Sequence, residues 1–124
     1  MQTLFFIALG GALGAVLRYG VSNGVHALVG RGFPFGTLTV NVLGSLLMGF
    51  LYIIMIERMS NNLGLRAMLI VGFLGAFTTF STFSIETFNL LENGEAFKAL
   101  TNILISVVLC LLAAWIGVVI GREI

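Results

Sequence analysis

Four long apolar stretches, joined by three short polar connectors, take up almost the whole chain. The first runs from about Leu4 to Tyr19, with a helical continuation to Val29 as the alternative. The second runs from Phe35 to Ile56, the third from Leu65 to Leu91 and the fourth from Ala96 to Ile120. A helix that crosses a bilayer needs about 20 mostly apolar residues, so each stretch predicts one transmembrane helix. The connectors are "GRGFP" at 30–34, "ERMSNNLG" at 57–64 and "ENGE" at 92–95, and the only proline, Pro34, punctuates the first. Connectors this short make neighbouring helices antiparallel and put both termini on one side. The predicted class is an all-α integral membrane protein with one four-helix domain over residues 1–124. There is no room for a soluble domain, and no low-complexity tail or clear internal repeat.

Composition agrees with this pattern. Hydrophobic residues make up 59% of the chain and charged residues 9%, where a soluble domain carries roughly a quarter charged. A net charge of +1 gives no case for nucleic-acid binding. The single cysteine, Cys110, excludes an intramolecular disulfide and argues against metal-finger chemistry, and the single histidine, His26, argues against a multi-histidine metal site. The first span follows Met1-Gln2-Thr3 without a basic segment or a small-residue cleavage site, so it is expected to be retained. One histidine and scattered serines make no nucleophile–base–acid set, so no enzyme is expected.

Orientation in the membrane follows Lys and Arg in short loops. The side with both termini has Arg58, Arg66 and Arg122; the other has Arg31 and Lys98, with Arg18 leaning towards it. This near balance leaves two readings open, a marginal preference for one orientation or insertion in both. Dual topology would permit an antiparallel homodimer with a two-fold axis in the membrane plane. The chain has 16 glycines, including Gly10-xxx-Gly14 and Gly117-xxx-Gly121, with Gly44, Gly49, Gly72 and Gly75 also within spans. Small residues let helices approach closely in lipid, and most of these glycines read as packing within one subunit. Oligomerisation is expected because the polar positions need more partners than four helices supply.

Polar groups in hydrocarbon are costly unless paired or facing water, so each one carries information. At helical spacing Thr37, Asn41, Gly44, Ser45 and Met48 share one face of the second span. Asn41 reads either as an interhelical hydrogen bond or as a donor lining a path for a small anion. Arg18 snorkels to the interface if the first helix ends near Tyr19, and needs a polar neighbour if it runs on to His26. Glu86 reads as a capped or paired acid near the end of the third span, or as a proton carrier. His26 marks an interfacial turn, and Ser106 bonds back to a helix carbonyl in the plainest reading.

The segment "GFLGAFTTFSTFSIE" is the densest in signal. A continuous helical period stacks Phe77, Ser81, Ser84 and Phe88 on one face and Thr79, Thr82, Phe83 and Glu86 on another, with Phe80 between. Both faces mix rings and hydroxyls, which a lipid-facing surface would not need. Gly72, Gly75 and Thr78-Thr79 are poor helix residues and predict a break or loose turn around Gly75 to Thr79. Irregular backbone at membrane depth is tolerated only where it is buried or lines a cavity, and freed carbonyls there bind cations. Aromatic edges carry partial positive charge, so a small hard anion can lie in the plane of a Phe ring. A Phe-x-x-Phe pair alone reads as helix packing; here it occurs with hydroxyls, a glycine-rich turn and Asn41.

These residues carry a resemblance. "GFLGAFTTFSTFSIE", "GGALGAVLRYGVS" and "GTLTVNVLGSLLMGFL" together resemble the small bacterial fluoride channels, the Fluc or CrcB family, over essentially the whole chain. The TTFSTF block is highly specific and the other two are supportive. The resemblance implies an antiparallel dual-topology homodimer with two pores, fluoride as the ion and a sodium ion at the dimer centre. It makes Phe80 and Phe83 the rings along the fluoride path and Asn41 a pore donor, with Ser81, Thr82 and Ser106 on the polar track. It places Arg18 by the vestibule, Glu86 near a pore end, and the sodium on backbone carbonyls of Gly75 and Thr78 from both subunits. It also implies a bacterial inner-membrane protein that exports cytoplasmic fluoride passively. The chain departs in the fourth span, where relatives often have a tyrosine before the serines and this chain has Thr101 and Asn102. Two other functions compete: a proton-coupled drug exporter, which would need a central membrane carboxylate, and a non-transporting assembly subunit.

Overall fold

The computed structural model describes residues 1–58 and 61–124 and is helical over its four apolar spans, Gln2–Val29, Phe35–Arg58, Leu63–Glu92 and Ala96–Glu123, apart from a two-residue interruption at Thr78-Thr79 in the third. Met59 and Ser60 of the second connector lie outside the described residues. Helix α1 covers Gln2–Val29 and α2 covers Phe35–Ile53, with a π-helical turn over Ile54–Arg58. The third span is composite: α3 over Leu63–Arg66, a π-helical stretch over Ala67–Leu74, α4 over Gly75–Phe77 and α5 over Phe80–Glu92. Helix α6 covers Ala96–Glu123.

Local chemistry explains the boundaries. Helix α1 ends at Gly30 (φ 87°), and the turn into α6 passes through Gly94 (φ 79°), both left-handed conformations open to glycine. Asn62 caps α3, its side-chain oxygen accepting from Leu65 N at 3.0 Å. Between α4 and α5, Thr78 (φ −83°, ψ 156°) and Thr79 (φ −151°, ψ 116°) are extended. Thr79 Oγ1 then caps α5 by accepting from Thr82 N at 3.2 Å.

Helix α1 runs unbroken to Val29, which decides between the two lengths open from sequence. Arg18 therefore sits well inside a helix rather than at its end. A continuous period through Thr78-Thr79 fails. Phe77 is buried and stacks on Phe73 (centroids 5.8 Å apart, interplanar angle 5°), while Ser81 and Phe88 are exposed. Two extended residues rotate α5 away from the register that α4 would have set.

Helix α2 packs along α6, and α1 packs along Ala67–Leu74. Glycines make both contacts possible. A Cβ on Gly49 would collide with the Ala114 carbonyl and one on Gly117 with the Leu46 carbonyl; Gly10 and Gly14 lie as tightly against the Met68 and Phe73 carbonyls. Gly75 is different: it is exposed, and a Cβ there would meet nothing closer than Ile70 O at 3.9 Å. Val40 and Leu74 are fully enclosed, whereas much of α6, including Val107, Leu111 and Trp115, faces outward. Such a surface is at home in hydrocarbon, and the chain is a multi-pass membrane protein.

Charges collect at the two ends of the bundle. At one end Arg122 pairs with Glu57 at 3.5 Å and Arg58 Nη2 donates to Arg122 O at 3.2 Å. At the other, Lys98 pairs with Glu95 at 2.8 Å and donates to Gly32 O at 3.1 Å.

Candidate functional site

The extended pair Thr78-Thr79 organises the site. An α-helix that stops leaves its last carbonyls without partners; here a side chain from α1 takes up one of them, and one from α2 holds the extended residue that follows. Asn41, on α2, donates Nδ2 to Thr79 O at 3.0 Å and accepts from Thr79 N on Oδ1 at 2.8 Å. The backbone N–H of Thr79 fixes which end of the amide is the oxygen. Asn41 thus makes the interhelical bond of the structural reading, and its second N–H has no partner among the described residues. Arg18, on α1, donates Nε to Ala76 O at 3.0 Å; this is the polar neighbour that its depth requires. The Thr78 hydroxyl turns back to Leu74 O at 2.9 Å.

The carbonyls of Gly75 and Thr78 lose their helical partners, because Thr79 N is taken by Asn41 and Thr82 N by Thr79 Oγ1. Among the described residues no other turn or cap N–H reaches them. Two carbonyls are thus left without a turn or cap partner, one of them on an exposed glycine.

Two cavities flank this segment. The first, about 270 Å³, is polar: Arg18, Ser22, Asn23, Thr37, Thr79 and Thr82 line it. The second, about 440 Å³, is mostly apolar and brings together Asn41, Thr79, Phe80, Phe83, Ser106 and Cys110. Thr79 borders both. The face of α2 read from helical spacing divides between them, with Thr37 on the first and Asn41, Gly44, Ser45 and Met48 on the second. The rings of Phe80 and Phe83 lie 5.4 Å apart, tilted by 42°. Phe80 is 77% exposed, so one wall of the second cavity is open at the outer surface of the chain.

The remaining candidates lie around these cavities. Ser81 is exposed, its Oγ 3.5 Å from the Thr79 hydroxyl. Glu86 is half-buried one turn beyond Thr82, and its Oε1 is buried without a hydrogen-bond partner among the described residues. Among the described residues that oxygen has neither the hydroxyl cap nor the ion pair of the first of the two readings open from sequence. His26 is buried at the end of α1, with Nδ1 3.0 Å from Gly30 O. Ser106 does not bond to a helix carbonyl; its hydroxyl donates to Asn102 Oδ1 at 3.2 Å.

Sequence reasoning missed Ser22 and Asn23 on the polar cavity and the buried Thr87 and Asn102. The signal for Asn102 was present, since Asn102 and Ser106 are one helical turn apart in the most apolar span. Thr87 stands one turn after Phe83 and carried no distinguishing context.

Comparison with known proteins covers the same length of chain. A protein of Coxiella burnetii (strain Dugway 5J108-111) named fluoride-specific ion channel FluC is 56% identical over 123 residues, 98% of this chain and 99% of that protein. One of the same name from Geobacter sulfurreducens is 50% identical over 99% of both chains. Another from Methylococcus capsulatus is 57% identical over 98% of this chain, which spans 53% of that longer relative. Residues 5–118 match the family described as CrcB-like protein, Camphor Resistance (CrcB), and the chain belongs to that family.

Proposed function

We propose that the chain is one protomer of a fluoride-selective channel of the bacterial inner membrane, which lets cytoplasmic fluoride leave down its gradient and so confers resistance to it. The observation that carries this reading is the second cavity, where an Asn41 amide, the Ser106 hydroxyl and the Phe80–Phe83 rings meet. Fluoride is small and tightly hydrated. Amide and hydroxyl donors replace part of its water, and ring edges offer weak positive charge along a dry wall. Larger, softer anions gain less from such donors and fit the space poorly. The polar cavity, with the permanent charge of Arg18, attracts anions towards the entrance. Ser81 and Thr82 continue the polar track, and Glu86 stands near its end. The physiological need is simple: hydrogen fluoride crosses membranes as a neutral acid and ionises inside, where the anion is trapped.

The working unit in this reading is an antiparallel homodimer with dual topology. The exposed Phe80 ring and the outward face of α6 support it, because a second copy would close the open wall. So does the near balance of charge, with Arg58, Arg66 and Arg122 towards one side and Arg31 and Lys98 towards the other. The interruption of the third span at Thr78-Thr79 serves as the central break. The Gly75 and Thr78 carbonyls of both protomers would hold a sodium ion there, and that ion would supply fixed positive charge between the two break segments.

The decisive measurement is fluoride efflux from liposomes containing the purified protein, with chloride as control. Fluoride release well above protein-free liposomes, with chloride retained, is the expected result; no fluoride release would favour an assembly subunit. Glu86→Gln should leave efflux largely intact, whereas a proton-coupled exporter would stop. Topology is testable separately. C-terminal reporters on both sides of the membrane should give signal, and two or three added C-terminal lysines should bias orientation and lower activity. Co-expression of an oppositely biased copy should restore it. Strong signal on one side only, in the unmodified chain, would defeat dual topology.

A further inference from the structure

Beside the ring-lined cavity lies a buried hydrogen-bond chain that joins α5 to α6. Thr87 donates its hydroxyl to Phe83 O at 2.8 Å, Asn102 donates Nδ2 to Thr87 Oγ1 at 2.9 Å, and Ser106 donates its hydroxyl to Asn102 Oδ1 at 3.2 Å. Thr87, Asn102 and Ser106 are 7%, 2% and 6% exposed, so water does not compete for these bonds.

The direction of the chain follows from proton counting. A hydroxyl has one proton to give. The Thr87 proton goes to Phe83 O, so Thr87 Oγ1 can only accept from Asn102. Asn102 must then turn its NH2 towards Thr87 and its oxygen towards Ser106. Ser106 in turn gives its only proton to Asn102, away from the cavity that Ser106 borders. At rest the cavity meets the lone pairs of Ser106, which repel an anion. For Ser106 to donate to an anion, its hydroxyl must rotate and give up Asn102.

We propose that Thr87 and Asn102 are positioning residues that keep the Ser106 hydroxyl withdrawn from the path, so that an anion binds weakly beside Ser106 and leaves quickly. The proposal rests on the fluoride-channel reading. Conduction needs binding that is favourable enough for entry but weak enough for exit, and a donor that must break one bond to make another has that property. Each residue in the relay acts only through Ser106.

The test is the concentration dependence of initial fluoride efflux from liposomes, normalised to dimer content. Thr87→Val keeps the shape and removes the hydroxyl. The Asn102 amide can then turn its NH2 to Ser106, which frees the Ser106 proton for the cavity. Half-saturating fluoride should fall about threefold to tenfold, the effect of one uncommitted hydrogen bond, and maximal flux should fall with it because exit slows. Thr87→Ser should restore wild-type behaviour. In a Ser106→Ala background Thr87→Val should no longer shift half-saturation, a result that mere packing damage cannot produce. Should Thr87→Val not yield monodisperse protein, Thr87→Ala makes the same deletion in a smaller side chain. An unchanged half-saturation in Thr87→Val, or an equal shift with and without Ser106, overturns the relay. Wild-type protein that carries no fluoride overturns the channel reading itself.

Discussion

Asn41→Asp is expected to abolish fluoride efflux while leaving monodisperse dimers. The substitution keeps the shape of the side chain and reverses its chemistry. Asn41 Nδ2 donates to Thr79 O at 3.0 Å, and an aspartate oxygen in that position would face a carbonyl oxygen instead. The loss takes a side-chain donor away from a part-buried acceptor, at a cost of about 1 kcal/mol. It also fixes a negative charge on the wall of the second cavity, where little water screens it, so an approaching anion is repelled. The closest helix-to-helix contacts lie elsewhere. The tight crossings run through Gly49 and Gly117 between α2 and α6 and through Gly10 and Gly14 on α1. Efflux normalised to dimer content, with size-exclusion profiles of both proteins, is the measurement. Normal transport by Asn41→Asp would reduce Asn41 to a clamp on Thr79 and move the path elsewhere.

Phe80→Ile and Phe83→Ile should each cut initial fluoride efflux, with chloride still excluded. Isoleucine keeps apolar bulk and removes the polarised ring edge. An edge interaction worth about 0.5–1.5 kcal/mol at the barrier corresponds to roughly a threefold to tenfold loss of rate. Phe80 makes the cleaner case. At 77% exposed in the isolated chain it contributes little to packing within the subunit, so a loss there reports on the path or on the partner that covers it. Phe83→Ala opens space as well as removing the edge and has no fixed direction. Phe73 is the control. It stacks on Phe77 within the third span, away from the cavity that Phe80 and Phe83 line. Phe73→Ile should therefore disturb packing more than flux, once normalised to dimer content. Equal small effects at all three positions would make the TTFSTF rings ordinary helix packing.

The four spans and their short connectors were legible because each depends on residues close together in sequence. Helix formation in a bilayer is forced by the need to satisfy every backbone group internally, so a run of apolar residues suffices to place a helix. Pro34 and the neighbouring glycines marked the first connector, and α2 begins at Phe35 directly after it. The segment from Gly72 to Glu86 stood out for the same local reason, as a run of rings and hydroxyls where an ordinary lipid-facing helix would place Leu and Val.

What sequence left open was decided over longer separations. Periodicity put Phe77 in line with Ser81 and Phe88, and that inference failed because it assumed one unbroken helix through Thr78-Thr79. The length of α1 stayed undecided, since the carbonyl that Arg18 meets at depth belongs to Ala76, 58 residues later. The pairing of Asn41 with Thr79 spans 38 residues. Thr87 drew no attention and Asn102 stood out only as a departure from the family pattern; they matter as neighbours across α5 and α6. Hydropathy by itself determined that this chain is a four-helix membrane protein, because the cost of exposing a backbone to lipid is paid residue by residue. Which polar groups meet, which carbonyls stay free and which ring stays uncovered was decided only by the tertiary structure, because hydrogen bonds depend on distances that helix packing sets and no local pattern encodes.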